Sequence, residues 1–255
     1  VITLADEISA GRESSTMCYI GTSGWVYPHW RGVFYPPDLK QSQWYKHYAK
    51  HFHTVEINYS FYRLPTEGTF DRWKEQAPAE FMYAVKANRY LTHLKRLQEV
   101  AEPLTTFLSR AGRLEEKLGP ILWQLPPHWR PDPERLGVFA NHLPKDMTHV
   151  FEFRDRRWFV PQIREILEQF GLTFCIFDMP DLPCPPWITS RVVYLRFHGK
   201  ERVYGGLYGR ESLEPWADRI RQWLGDGYTV YAYFNNDDFG YAVEDALTLQ
   251  DLLAS

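Results

Sequence analysis

The segment "HVFEFRDRRW" at 149–158 sets two charges, Glu152 and Arg154, two residues apart, each preceded by a phenylalanine. Side chains of a strand alternate between its two faces. A strand here puts Phe151 and Phe153 on one face and Glu152 and Arg154 on the other. The pattern recurs. Glu56 and Asn58 alternate with Val55 and Ile57, Lys86 and Asn88 with Val85 and Ala87, and Arg196 and His198 with Leu195 and Phe197. Gln124 follows Trp123, Asp178 follows Phe177, and Asn235 follows Phe234, with Asn236 and Asp237 next.

These residue types suit proton transfer beside an anion. Glu56 and Glu152 are the acid/base candidates, with Asp178 to orient a base or a hydroxyl. His198 belongs with them as a catalytic candidate, and with Lys86, Arg154 and Arg196 as a group that binds an anion and stabilises developing charge. Asn58, Gln124, Asn235 and Trp25 complete the substrate-binding candidates. The substrate so implied is small, anionic and hydroxylated, such as a sugar phosphate or a nucleotide fragment. Hydrolysis, isomerisation and lyase chemistry all fit two carboxylates beside a cation. No cofactor is called for.

The elements that would position these groups repeat one unit. Eight short segments rich in β-branched and aromatic residues read as strands. They start at Cys18, Thr54, Phe81, Gly119, His149, Thr173, Val192 and Thr229. Helical periodicity lies between most of them. Trp44, Tyr48 and Phe52 share a face, as do Leu97, Ala101, Leu104 and Leu108. Ile163, Ile166, Leu167 and Phe170 form a third stripe after Pro161, and Leu213, Trp216, Ala217, Ile220 and Trp223 a fourth. Ala242, Ala246 and Leu249 form a last one, and weaker patterns lie near Phe70–Trp73 and Leu136–Leu143. Alternating strands and helices favour parallel strands joined by crossovers. "GTSGW" after the first strand lacks the spacing of a dinucleotide loop. Eight units in 255 residues favour a closed (β/α)8 TIM-type barrel, an α/β single domain, over an open doubly wound sheet. In each strand the apolar half comes first, so the polar residues gather at the C-terminal mouth, where such barrels hold their active sites.

Composition narrows the class. Net charge is −3, so no global field recruits nucleic acid or an acidic membrane surface. Three cysteines, Cys18, Cys175 and Cys184, fit a reducing compartment and have no metal-motif spacing. No apolar run is long enough to span a bilayer. A cytoplasmic protein is the expectation. Residues 1–16 are polar and aperiodic and read as a leader or extension, with the barrel domain at 17–255.

Three alternatives stand beside the metal-free enzyme. Glu56, Glu152, Asp178, His198 and Asp237 could ligate a divalent metal, although Arg154 and Arg196 would compete for the same carboxylates. The mouth cations and the aromatics Trp25, Tyr27, Trp30, Phe34 and Tyr35 could make a binding module for nucleic acid or carbohydrate, which the acidic balance disfavours. The interior charges could also form a structural layer that only fixes register, although burying ions costs several kcal/mol each. Two smaller features also have two readings. "GTSGW" could offer Thr22, Ser23 and backbone N–H groups to an anion, or be a tight turn. His47, His51 and His53 read as a solvated helix end rather than a metal site.

The ordered motifs resemble the YecE-like family, a conserved domain of unknown function. The resemblance runs from about Tyr19 to Leu253. It rests on Gly21-Thr22-Ser23-Gly24-Trp25, Val55-Glu56-Ile57-Asn58, Phe61-Tyr62, Lys86, Thr92-His93 and Gln124-Leu125-Pro126-Pro127. Glu152 with Arg154 and Trp158, Asp178, Arg196, His198-Gly199 and Tyr233-Phe234-Asn235-Asn236-Asp237 complete it. It implies a TIM-type barrel and supplies no activity. The family pattern often has His after the Arg of the fifth strand and Ser before its Trp, where this chain has Asp155 and Arg157.

Overall fold

The computed structural model describes residues 17–255, so the expected leader at 1–16 lies outside the described residues. The eight segments expected as strands are strands: β1 (Cys18–Thr22), β2 (Thr54–Ile57), β3 (Met82–Lys86), β4 (Leu118–Gln124), β5 (His149–Glu152), β6 (Thr173–Asp178), β7 (Val192–Phe197) and β8 (Thr229–Phe234). All their pairings are parallel, in the order β1-β8-β7-β6-β5-β4-β3-β2. The fold is an α/β (β/α)8 TIM-type barrel. Its helices are α1 (Trp44–Tyr48), α2 (Tyr59–Tyr62), α3 (Glu67–Gln76), α4 (Ala101–Ala111), α5 (Pro133–Asn141), α6 (Pro161–Gln169), α7 (Gly209–Gly225) and α8 (Tyr241–Ala254). None is long and apolar enough to cross a membrane.

The barrel closes between β1 and β2 by side chains, with no backbone ladder between them among the described residues. The Tyr48 hydroxyl accepts from Thr22 N at 3.0 Å and donates to Thr54 O at 3.1 Å, linking the two strands. Gly21 permits this approach, because a Cβ there would overlap the Thr54 carbonyl oxygen.

A local signal starts α5. Asp132 accepts from Arg135 N at 3.0 Å and caps α5, with Pro133 in the first turn. Leu97, expected on the stripe of α4, lies outside it at φ +65, in a loop that turns before the helix begins. No helix is described between β6 and β7, where Pro180, Pro183, Pro185 and Pro186 occur. Proline lacks the N–H an α-helix needs. Trp187 takes the place of a helix there, its ring 5.1 Å from that of Phe174 on β6.

Strand register builds the interior in layers. Val55, Ile57, Phe151, Phe153, Leu195 and Phe197 pack outward into the core shared with the helices. Ala84, Leu122, Val150, Cys175, Tyr194, Tyr231 and Tyr233 fill the inside, with Tyr19 stacked on Tyr231 at 4.8 Å. Above this filling lies a layer of charge.

Candidate active site

Counting two residues on from each interior position reaches the mouth. Ala84 leads to Lys86, Leu122 to Gln124, Val150 to Glu152, Tyr194 to Arg196 and Tyr233 to Asn235. Glu56 and Glu152 are fully buried and bridged by Arg196, whose Nη2 lies 2.7 Å from Glu56 Oε1 and whose Nη1 lies 2.6 Å from Glu152 Oε2. Glu56 also accepts from Ser23 Oγ at 2.8 Å and from the Tyr194 hydroxyl at 2.7 Å. Arg154 Nε lies 2.5 Å from Glu152 Oε1. Two carboxylates and two guanidiniums thus balance in a closed network.

Burial alone would raise the Glu152 carboxyl, but Arg154 and Arg196 override it and hold it well below the usual carboxylate range. His198 Nε2 lies 3.0 Å from Glu152 Oε1 and 2.9 Å from Arg154 Nη2, and its Nδ1 lies 3.3 Å from Asn235 Nδ2. Burial, then Arg154 and Arg196, push His198 down to about 3 against the pull of Glu152. The imidazole is therefore neutral at pH 7, and the arginines meet the charge of Glu152.

Lys86 differs from its neighbours. It has no ion pair or side-chain hydrogen bond among the described residues, and its Nζ stands 4.4 Å above the Phe61 ring. The residue keeps 9% exposure. Burial, then Arg196, lower its amine to about 7, with Glu152 and Glu56 opposing and Arg154 assisting. His93 packs on the other contact of Phe61, ring centres 5.0 Å apart, and is pushed down to about 4 by burial, Lys86, Arg89 and Arg154. It sits on a π-helical turn at Tyr90–Leu94, just past β3, an irregularity often found at functional sites.

Arg154 has poorly used donors, since its buried Nε, although close to Glu152, makes no hydrogen bond. Its Nη1 donates to the thioether sulfur of Met179 at 3.1 Å, and sulfur is a poor acceptor. Arg196, by contrast, is sealed, with Nη1 and Nη2 both on carboxylates.

Two of the expected site residues lie elsewhere. In the β6–β7 register Phe177 pairs with Arg196 and Asp178 with Phe197, so Phe177 faces the mouth and Asp178 faces out. Phe177 underlies the Arg154 guanidinium at 5.8 Å. Asp178 lines a groove with Lys200, Tyr208, Glu211 and Ser212, beside the Trp216 indole. Trp25 packs edge-on against Tyr45 and Trp73, 5.6 and 5.9 Å between centres, away from the charged layer. Asn58 borders the site, its amide 3.3 Å from the Ser23 carbonyl. Gln124 is buried in register with Glu152.

"GTSGW" is a turn. Ser23 N donates to Phe234 O and Gly24 N to Thr22 O, at 2.9 and 3.0 Å, and Gly24 takes φ +103. Those amides are already engaged and are not offered to an anion. Nor do the proposed metal ligands converge. Among the described residues no three His, Cys, Asp or Glu side chains form a metal-binding group. Asp237 is held by Trp30 Nε1 at 2.7 Å and His29 Nε2 at 3.0 Å, and Asp178 faces outward.

Phe61, His93, Phe177 and Tyr194 are not among the candidates from sequence, and Ser23, read there as a donor to an anion, donates to Glu56 instead. Phe61 and His93 stood in the quoted motifs, but only the fold brings them beside Lys86. Tyr194 was one step of alternation before Arg196, which was a usable signal.

Residues 19–255 match the family described as protein of unknown function DUF72. The chain belongs to that family. Of the proteins it resembles, UPF0759 protein YunF of Bacillus subtilis (strain 168) is 25% identical over 270 residues, covering 93% of this chain and 95% of that protein. UPF0759 protein YecE of Escherichia coli (strain K12) is 26% identical over 261 residues, 91% of each. A DUF72 family protein of Thermotoga maritima MSB8 superposes with a TM-score of 0.86 at 29% identity, covering 94% of this chain and 100% of that one. One from Enterococcus faecalis V583 gives 0.82 at 21% identity, covering 94% and 96%, which bears on the fold alone. The YecE-like resemblance read from the motifs is thus the family of the chain.

Proposed function

We propose that this protein is an enzyme acting at the mouth of the barrel on a small anionic, hydroxylated substrate. The observation that supports this reading is Lys86, an amine with no ion pair or side-chain hydrogen bond among the described residues, beside carboxylates whose charge Arg154 and Arg196 match. A purely structural layer gains nothing from such a group, since an unpaired buried cation only destabilises. The anion would displace Met179 from Arg154 Nη1 and exchange a weak acceptor for a charged one. Glu56 and Glu152 hold the arginines in place. Proton transfer near neutral pH falls to Lys86, the mouth group whose proton affinity matches that range.

A test combines binding and turnover. Inorganic phosphate binding is measured by calorimetry, and sugar phosphates are followed by phosphorus and proton NMR in D2O. The expected result is phosphate binding weakened at least about tenfold in Arg154→Ala, a loss of the size of one charged hydrogen bond. Turnover or solvent deuterium uptake should be lost in Lys86→Met. Absence of phosphate binding together with absence of any turnover would overturn the reading.

A second reading has one observation in its favour. Tyr59, Tyr62, Tyr90, Tyr204 and Phe239 are exposed, and all lie on segments that follow C-terminal strand ends. Such rings stack on sugars and bases, which fits a binding module. Steep salt dependence of single-stranded oligonucleotide binding, with no turnover of small phosphates, would favour it.

A further inference from the structure

We propose that Lys86 is a nucleophilic amine that condenses with the carbonyl group of a small anionic substrate to form an imine. This rests on the reading above and narrows it to carbonyl compounds, such as phosphorylated hydroxyaldehydes and hydroxyketones.

The geometry supports the assignment in three ways. Lys86 ends β3, so the rigid barrel aims its Nζ into the mouth rather than leaving it on a mobile loop. Its carboxylate neighbours, Glu56 and Glu152, are held by Arg196 and Arg154, so neither pairs with the amine. A lysine paired with a carboxylate stays an ammonium, and an ammonium has no electron pair to donate. The ring of Phe61 lies against Nζ at 4.4 Å and keeps water from that side, and the residue retains 9% exposure.

The arginines around Lys86 lower its proton affinity, and the two carboxylates oppose them. Arg154 from the end of β5 and Arg196 from β7 are cations. His93 and His198 are neutral at pH 7, and the negative charges of Glu56 and Glu152 are already matched. Desolvation beside cations is the recognised way to activate a lysine. Its amine, lowered to about 7, is about half unprotonated in neutral solution.

The step balances as amine plus carbonyl giving imine plus water. The Nζ lone pair adds to the carbonyl carbon, and the C=O π pair moves to oxygen, which takes up a proton. The carbinolamine then loses that oxygen as water, using the two protons that Nζ brought, and the nitrogen lone pair closes the C=N bond. Protonation from solvent gives the iminium. The iminium can accept an electron pair from the adjoining carbon, which is the use of such a group in isomerisation and lyase chemistry.

Full-length protein is incubated at pH 7 with glycolaldehyde phosphate and sodium cyanoborohydride, which delivers hydride to the iminium carbon and fixes it as a secondary amine. A parallel arm uses glycolaldehyde. Peptide mass spectrometry reads each lysine. The expected result is modification of Lys86 about 10–100 times faster than surface lysines, since a drop from about 10.4 to about 7 raises the unprotonated fraction roughly a thousandfold before any loss of intrinsic nucleophilicity. The phosphorylated probe should outpace the neutral one, and inorganic phosphate should protect.

The pH dependence of Lys86 labelling should have a midpoint near 7. Lys86→Arg should abolish labelling at that peptide and leave the other lysines unchanged. If both probes label Lys86 fast but phosphate confers no advantage, the imine stands and the anion reading fails. If phosphate binds while Lys86 reacts no faster than surface lysines with either probe, the imine proposal is overturned and the anion reading survives.

Discussion

Arg196 joins Glu56 to Glu152 with one guanidinium, Nη2 on the first and Nη1 on the second, and all three side chains are sealed from solvent. Neither carboxylate could be buried at this depth alone, because isolated ions in a protein interior cost several kcal/mol. Arg196→Met should therefore destabilise the fold by about 3–5 kcal/mol, the usual cost of leaving a buried charge unpaired. Urea unfolding with an unchanged m-value is the measurement. Arg196→Lys should recover only part of the loss, since an ammonium lacks the planar fork that spans two carboxylates.

Lys86→Met should stabilise the protein. The folded amine sits at about 7 and the unfolded one at about 10.4. Between those values the unfolded chain holds a proton that the folded chain has released, so stability rises with pH. Below pH 7 the folded chain must hold that proton in an unfavourable place. Removing the amine should add on the order of 2–5 kcal/mol at pH 6, and less at pH 9. Paired unfolding curves of variant and parent at the two pH values decide it. A loss of stability at pH 6 would show that the amine is favourably placed as an ammonium.

His149 should make the barrel acid-sensitive. Trp123 Nε1 donates to its Nδ1 at 3.1 Å, and its Nε2 faces Pro144 O at 3.1 Å, an arrangement that suits the neutral ring. Burial pushes it down to about 4, against the Pro144 carbonyl and Asp146. Its folded value lies below the unfolded value of about 6.5, so its contribution is present above 6.5 and is lost as pH falls towards 4. From pH 7 to pH 5 this one group should remove about 2 kcal/mol. The urea midpoint in His149→Gln should fall less steeply over that interval than in the parent.

Asp178→Asn should leave the chemistry of the mouth untouched. Asp178 faces the Trp216 indole and Lys200, with the β6 backbone between it and Arg196. Glycolaldehyde phosphate labelling of Lys86 should keep its rate within about twofold, as for a distant surface change. A tenfold fall would mean that the groove on the outer face and the mouth communicate.

Much of this was readable from residue order. Glu56, Glu152, Arg154, Arg196 and His198 alternate with large apolar residues, so one face of each strand had to be the interior and the other the helix side. β6 reads "TFCIFD", with apolar residues on both faces, and alternation there has no phase. Only its pairing with β7 shows that Phe177 points in and Asp178 out. Trp25 stands in a loop, where no periodicity fixes a direction. The prolines between β6 and β7 mark the missing helix plainly enough. The low proton affinity of Lys86 could not be read in the same way, because it arises from burial in the assembled barrel and from Arg196, which is remote in sequence.

The join between β1 and β2 gives the barrel a mechanical asymmetry. Elsewhere around the circumference, backbone ladders tie neighbouring staves together. Here side chains bridge the gap: the Tyr48 phenol, and above it the Ser23 hydroxyl on Glu56. A hoop opens at the joint that lacks a ladder, and the two staves that flank this one carry Ser23 and Glu56. Breathing of the barrel and loosening of the charged network would then be a single motion, starting beneath the first loop.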